Sequence, residues 1–134
     1  MSMDHDDVRS ELTERIGALA MASGMNFWGV ADLTPARLAI AMQAPPATAS
    51  GQAVTTPGQA CDVLSQYPRA VSIGLGLLHP IVDLLPCRSE RMVALAYRRH
   101  CYDLVNQRLD LIASEVSGAV QRAGYRAFPV PAPL

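Results

Sequence analysis

Lysine is missing from this chain, since all eleven basic residues are arginines. No Schiff-base lysine, lysine general base or phosphate-binding lysine can therefore operate here. Aromatic residues are also scarce, at 5% of 134 residues, which leaves no platform on which nucleic-acid bases could stack. The formal net charge is −1, so no basic excess exists to neutralise phosphates. We therefore expect no nucleic-acid partner.

Cysteines are few and widely spaced, at Cys61, Cys87 and Cys101. They form no CxxC pair and no CxxCxxC run, which are the spacings that zinc and iron–sulfur sites use. The sequence also has no HExxH motif, no phosphate loop and no Ser-His-Asp order. We therefore expect no metal site and no cofactor within this chain, and three buried, reduced thiols.

Long apolar runs are missing as well, and none reaches the roughly 18 residues that a membrane-spanning helix needs. The first residues are acidic and amphipathic, without the basic and then apolar layout of a signal peptide. We therefore expect a cytoplasmic protein with no membrane partner. Half of the residues are apolar and 17% are charged, which is typical of a globular protein. A single domain over residues 1–134 is predicted.

The residues that are present alternate between helical and extended patterns. Helical spacing of apolar residues predicts helices over residues 5–22, 34–42 and 89–123. Apolar and branched runs predict strands over residues 27–32, 69–77 and 125–130. Residues 43–60 carry no charge and are rich in Pro, Ala, Thr and Gly, which predicts a flexible loop. The expected fold class is α/β or α+β, with about three strands in a partial two-layer or three-layer sandwich.

These elements carry expectations about burial. Residues 69–77 are apolar without alternation, as in a strand covered on both faces, and Phe27 and Trp28 are predicted to lie in the core. Proline at 129, 131 and 133 makes the last strand an edge or an exit. One continuous apolar stripe is predicted along the long helix, at Leu95, Tyr102, Val105, Leu109, Ile112, Val116 and Ala119. Such a helix needs a broad partner surface, either a sheet or another chain.

Several segments recur in the order and spacing of a known family: YPRAVSIGL at 67–75, IVD at 81–83, YxxVNxxLDxIA at 102–113, GYRAFPVPA at 124–132 and, more loosely, GVADL at 29–33. Together they resemble the epoxyqueuosine-reductase-like family of iron–sulfur proteins. The resemblance implies an α/β redox module related to the nitroreductase and corrinoid-processing folds. It also implies two CxxCxxCxxxCP clusters (4Fe-4S) and, in tRNA-modifying members, a cobalamin contact, all in a later portion that these residues do not include. No cluster ligand or catalytic acid is carried over, and we expect the chain to correspond to the front part of such a protein.

Two polar residues are the candidate cofactor-binding positions. His79 follows the Gly-containing strand, and α/β folds bind ligands at the ends of central strands. Asn106 lies close to the apolar stripe of the long helix, where a buried Asn requires partners. The pattern favours a turn histidine and a structural asparagine over ligand contacts. No catalytic residue is predicted, and His100 and Cys101 point about 100° apart on a helix, so they are not expected to share a site.

Three functions are compatible with these patterns. The chain could be an N-terminal scaffold module of an epoxyqueuosine-reductase-like redox protein, an oxidoreductase only when completed by the missing part or a partner chain. It could instead be a stand-alone homo-oligomeric interaction protein, since an exposed strand edge and an apolar stripe favour self-association or a second protein chain. A third hypothesis is a small-molecule binder with a pocket between the 43–60 loop and His79.

Overall fold

The computed structural model describes residues 5–43 and 66–132. The elements in chain order are helix α1 (His5–Ala22), strand β1 (Phe27–Asp32), helix α2 (Thr34–Gln43), strand β2 (Arg69–Gly74), helix α3 (His79–Val82), a 3-10 turn (Leu85–Cys87), helix α4 (Arg91–Ala96), a π-helical segment (Tyr97–Asp103) and helix α5 (Leu104–Arg122). The fold is therefore α+β, as predicted. Of the predicted 43–60 loop only Gln43 is described, and it closes α2; residues 44–60 and Cys61 lie outside the described residues.

Strands β1 and β2 pair with each other in a two-stranded sheet. Asn26 donates its N–H to the Gly74 carbonyl at 3.0 Å, and Leu33 donates to the Pro68 carbonyl at 2.9 Å. The residues that flank the start of one strand thus bond to the end of the other, so the pair is antiparallel. Strand β2 stops at Gly74 instead of residue 77, and beyond it the Asn26 side-chain oxygen accepts the Gly76 N–H at 2.7 Å.

The predicted third strand at 125–130 is wrong, because residues 125–132 form neither strand nor helix. In an extended chain the main-chain N–H groups of alternate residues point to the same edge of the strand. Proline has no N–H, so Pro129 and Pro131 would leave that edge without two hydrogen-bond donors. Ala132, in the alternate register, donates its N–H to Oδ1 of Asp110 at 2.7 Å. A helix side chain therefore takes a donor that a sheet partner would have needed.

The chain divides into two compact units: a larger one of residues 1–29 and 72–134, and a smaller one of residues 30–71. The larger unit holds the buried core, in which α1 contacts α5. The core side chains belong to those two helices and the turn after α1: Ile16, Ala20, Met25, Ile112 and Val116. Leu12 and Leu19 pack against this cluster, which confirms the predicted apolar face of α1. The smaller unit contains α2, which buries no residue.

A glycine follows each of the two long helices. Gly24 has φ = 86° and Gly124 has φ = 89°, in the left-handed region that favours glycine. After Gly24, the Met25 N–H donates a hydrogen bond to the Ala20 carbonyl at 3.0 Å. After Gly124, the Tyr125 N–H donates to the Val120 carbonyl at 3.2 Å. These bonds satisfy carbonyls that the last turn of each helix would otherwise leave without a donor.

The expectation that both strands are buried is wrong. Neither strand contains a buried residue; Phe27 is 68% exposed and Trp28 is 37% exposed. Burial on both faces needs layers on both sides of a sheet, and two strands leave most of their surface uncovered. The Trp28 ring does lie directly on α1, where a β-carbon placed on Gly17 would be only 2.2 Å from it.

The predicted helix at 89–123 is observed from Arg91 to Arg122, with the π-helical segment in its middle. Glu90 occupies its cap position, without a side-chain hydrogen bond. The predicted stripe is buried at Ile112 and Val116, whereas Leu95 is 54% exposed. The prediction of one continuous stripe is therefore wrong, because a π-helical turn holds an extra residue and moves the preceding residues off the buried face.

Candidate functional site

His79 is the first residue of α3, four residues after the end of β2. Its side chain is exposed. Within the described part of the chain it has no hydrogen-bond or ion-pair partner. An exposed imidazole with no fixed neighbour has no geometry that would orient a ligand. His79 therefore remains a candidate by its position alone.

Asn106 lies in the first turn of α5 and is half-buried. It has an interaction partner, as a half-buried amide requires. His79 and Asn106 lie on different helices, and the groove described below includes neither of them. The loop that the third hypothesis places over His79 falls outside the described residues, so that pocket stays a prediction.

The cysteines divide between surface and core. Cys87 is exposed and Cys101 is buried, so the expectation of buried thiols is wrong at Cys87, because the 3-10 turn that carries it buries none of its residues. Residues 5–43 and 66–132 contain no group of three or more His, Cys, Asp or Glu side chains placed to hold a metal ion. The described residues therefore do not fit an iron–sulfur cluster.

A polar cluster holds the start of α2 in the smaller unit. Oδ1 of Asp32 accepts the N–H of Thr34 at 2.9 Å, and this hydrogen bond, together with a weaker attraction from nearby guanidinium groups, holds the pKa of Asp32 below its ordinary value of 3.8. The Asp32 carboxylate thus satisfies an N–H in the first turn of α2, which begins at Thr34. Arg37 donates to the main-chain carbonyl of Tyr67. The cluster fastens a helix to the chain before β2, and its groups are already occupied in doing so.

One face of α1 carries a shallow acidic groove of about 240 Å³, lined by Asp7, Ser10, Glu11 and Glu14. These residues recur at helical spacing, so they form one stripe of the helix. Their carboxylates are exposed. A solvated acidic stripe of this kind is ordinary for the outer face of an amphipathic helix.

Many large apolar side chains are exposed. In the described ranges six hydrophobic residues are buried, while eighteen large hydrophobic residues are exposed. Monomeric proteins rarely expose large contiguous apolar patches, and such patches mark sites of interaction with other molecules. The apolar surface is therefore the feature of this chain with the clearest functional meaning.

Five of these exposed hydrophobic residues lie within residues 77–95, in the larger unit. Neither α3, the 3-10 turn nor α4 contains a buried residue. The turn contacts α4, and both α3 and α4 contact the π-helical segment. We call the exposed apolar side chains of this stretch the 77–95 surface: Leu77, Leu78, Leu84, Met92 and Leu95.

Comparison of the chain with protein-family models, with curated proteins and with solved structures finds no match. Of the helices in the described ranges, none combines the length and the apolar character needed to cross a bilayer. Function must therefore be argued from the chain's own surfaces.

Sequence reasoning expected a partner-binding stripe on the long helix but did not identify the 77–95 surface. In the structure the α5 part of that stripe faces inward, where Ile112 and Val116 are buried. A sequence signal for the exposed surface existed: residues 77–95 contain five leucines, yet Pro80 and Pro86 interrupt them. Short helices broken by proline cannot place all of their leucines on one inward face.

Proposed function

We propose that this chain is a structural module of an epoxyqueuosine-reductase-like redox protein. It supplies a scaffold to a portion that carries the iron–sulfur clusters and the corrinoid, and that portion lies outside these 134 residues. The observation that carries the proposal is the ratio of eighteen exposed to six buried hydrophobic residues in the described ranges. A fold that buries so little apolar surface of its own is suited to burying the rest against another polypeptide.

The energetics favour such a complex. Complete burial of a Leu or Met side chain contributes about 1.5–3 kcal/mol, so covering a half-exposed one contributes about 1 kcal/mol. The five side chains of the 77–95 surface would thus contribute about 5 kcal/mol, and a partner that buries an equal apolar area would roughly double this. Association costs about 4–15 kcal/mol in lost freedom. Apolar burial on both sides is therefore of the size needed for a stable complex.

The family assignment is supported by the segments at 67–75, 81–83, 102–113 and 124–132, which resemble the family in order and spacing. The chemistry of the clusters and the corrinoid belongs to the other portion. Among the described residues of this chain no set of three metal ligands exists. Cys87 is exposed whereas Cys101 is buried. The role proposed for the described residues is therefore to bind and position the other portion, with no reaction step assigned to them.

The proposal is tested with a cluster-bearing polypeptide of this family from the same genome, recognised by its two CxxCxxCxxxCP runs. Coexpressed with this chain, it is expected to copurify with it in a fixed ratio and to raise the midpoint of its thermal unfolding, because a partner that binds only the folded state stabilises that state. A ferredoxin with the same cluster motif but outside the family is the control and is expected not to bind. Equal binding to both proteins, or to neither, would contradict the family assignment.

A second experiment examines this chain alone. After anaerobic reconstitution with iron, sulfide and cobalamin, it is expected to show no stoichiometric cluster or corrinoid absorbance. One cluster per chain would overturn the division of roles, since it would place the ligands within these 134 residues.

A further inference from the structure

Residues 125–132 follow α5 as a segment that belongs to neither sheet nor helix. Pro129 and Pro131 have φ fixed at about −65° by their rings. The residue before each proline, Phe128 or Val130, is restricted to extended or polyproline II geometry. The covalent structure of residues 128–131 therefore favours polyproline II, a conformation that makes no internal hydrogen bonds.

Two hydrogen bonds hold the ends of this segment on the larger unit. At its start, the Tyr125 N–H donates to the Val120 carbonyl at 3.2 Å. At its end, the Ala132 N–H donates to Oδ1 of Asp110 at 2.7 Å. Both acceptors belong to α5, so one helix tethers the segment at both ends. A ligand that is held in an extended form before binding loses less conformational entropy when it binds.

The side chains between the two tethers are exposed. Phe128 is 50% exposed and Val130 is 62% exposed, and the rings of Pro129 and Pro131 are exposed as well. Polyproline II has three residues per turn, so Phe128 and Pro131 lie on one face of such a segment. The same spacing separates the two prolines of PxxP ligands, with Phe128 here in the place of the first proline.

The main chain of this segment selects between two modes of recognition. An extended segment either adds a strand to the edge of a partner's sheet or docks as polyproline II in a groove lined with aromatic side chains. Addition to a sheet needs main-chain N–H donors, which Pro129 and Pro131 lack. The Ala132 N–H is already bonded to Asp110. Three of the four positions in 129–132 therefore offer no free donor, and docking as polyproline II is the mode that remains.

We propose that residues 125–132 are a ligand for a partner domain whose aromatic-lined groove binds polyproline II. The proposal goes beyond the proposed function, because it uses residues outside the 77–95 surface and requires no cluster-bearing polypeptide. Aromatic rings of the partner would pack on Phe128 and Pro131, whose shared face is presented by a segment already fixed at both ends.

The experiment titrates the full chain into three isotope-labelled probe domains, an SH3, a WW and an EVH1 domain, which all bind polyproline II through aromatic-lined grooves. Nuclear magnetic resonance follows the signals of the probe. The chain is expected to bind at least one of the three and to shift the signals of the aromatic residues in its groove.

A double variant, Pro129→Ala with Pro131→Ala, tests the segment itself. It is expected to weaken binding by about tenfold or more, because it removes the proline rings from the contact and frees the backbone. The matched control is Pro35→Ala with Pro80→Ala, which removes two prolines from the first turns of α2 and α3. The control is expected to bind as the wild type does, and circular dichroism checks that both variants keep their helices.

Competition keeps the inference testable if the double variant fails to fold. A proline-rich peptide that fills the groove of the probe domain is expected to displace the wild-type chain. Failure of the chain to bind any of the three domains would overturn the inference. So would binding that the peptide does not displace, or a folded double variant that binds as tightly as the control.

Discussion

Gly17 lies within α1 directly against the ring of Trp28, and replacing it with alanine tests that packing. A glycine-to-alanine change inside a helix normally stabilises it by about 0.8–1.0 kcal/mol. At Gly17 the added β-carbon would lie 2.2 Å from Cζ2 and 2.6 Å from two further atoms of the indole. Carbon atoms in contact are separated by about 3.5 Å or more. The ring must therefore move by more than about 1 Å, or the helix must shift.

The two effects oppose each other, and their sizes decide the sign. Inserting a methyl group into a packed site costs about 1–3 kcal/mol. Because Trp28 is only 37% exposed, moving its ring also uncovers apolar area on α1. We therefore expect Gly17→Ala to lower the free energy of unfolding by about 1–2 kcal/mol, after the gain in helix propensity of about 1 kcal/mol has been offset.

Urea unfolding, followed by circular dichroism and by tryptophan fluorescence, measures this change. Trp28 is the only tryptophan in the chain, so a red shift of its emission would report that the ring has moved into water. In a Trp28→Ala background the obstacle is removed, and Gly17→Ala is expected to become stabilising. The sign reversal between the two backgrounds separates packing from helix propensity.

Gly118→Ala in α5 is the matched control. There the nearest atom to an added β-carbon is the end of the flexible Arg122 side chain, at 3.4 Å. We expect this substitution to stabilise the chain by up to about 1 kcal/mol. A Gly17→Ala variant that is as stabilised as the control, with unchanged tryptophan emission, would refute the packing of Trp28 on α1.

Three further hydrogen bonds give predictions of their own. The hydrogen bond from Thr34 at the start of α2 lowers the pKa of Asp32. The stabilisation by the Asp32 carboxylate is therefore complete above the ordinary pKa of 3.8 and is lost as pH falls through the lowered pKa. The difference in urea midpoint between wild type and Asp32→Ala should shrink in acid, and a difference that stays constant would contradict this. Asn26→Ala removes the acceptor of the Gly76 N–H and should speed hydrogen exchange at that amide and cost about 1 kcal/mol, whereas Asn26→Asp should retain the protection. Asp110→Ala frees the Ala132 N–H and should accelerate proteolysis within residues 125–132, while Asp110→Asn keeps an acceptor and should not; equal cleavage of both variants would refute the role of that bond.

Local features of this fold could be predicted from the sequence because they depend on neighbouring residues only. Helix α1 follows from the spacing of Leu12, Ile16 and Leu19, and its end follows from Gly24, whose φ of 86° suits glycine. The two observed strands were also predicted, since apolar and branched runs indicate extended structure wherever they pack.

Burial could not be predicted in the same way, because it depends on how many layers assemble. Phe27 and Trp28 have the composition of a core strand, yet the sheet has two strands and leaves Phe27 68% exposed. The missing third strand has a cause visible in the sequence, the alternating prolines 129 and 131. The acceptor at Asp110 became apparent only in the structure.

At the candidate site, too, local features could be predicted from the sequence and burial could not. His79 was expected at a turn after a strand, and in the structure it is an exposed residue at the start of α3. The predicted stripe on the long helix was right at Ile112 and Val116 and wrong at Leu95, since the π-helical segment between them has no simple sequence signature. The 77–95 surface could therefore be identified only from the exposure of its side chains in the structure.

The π-helical segment also couples the direction of α4 to a pattern of main-chain hydrogen bonds. Each residue of an α-helix turns the chain by about 100°, and a π-helical turn takes one residue more than an α-helical turn. If Tyr97–Asp103 changed to regular α-helical bonding at the same chain length, α4 would rotate by about that angle relative to α5. Met92 and Leu95 would keep their identities but point in another direction. Deleting one residue from the segment would instead restore α-helical bonding and leave the exposed face of α4 nearly unchanged, so the segment absorbs one residue of chain length without changing the surface that the helix presents.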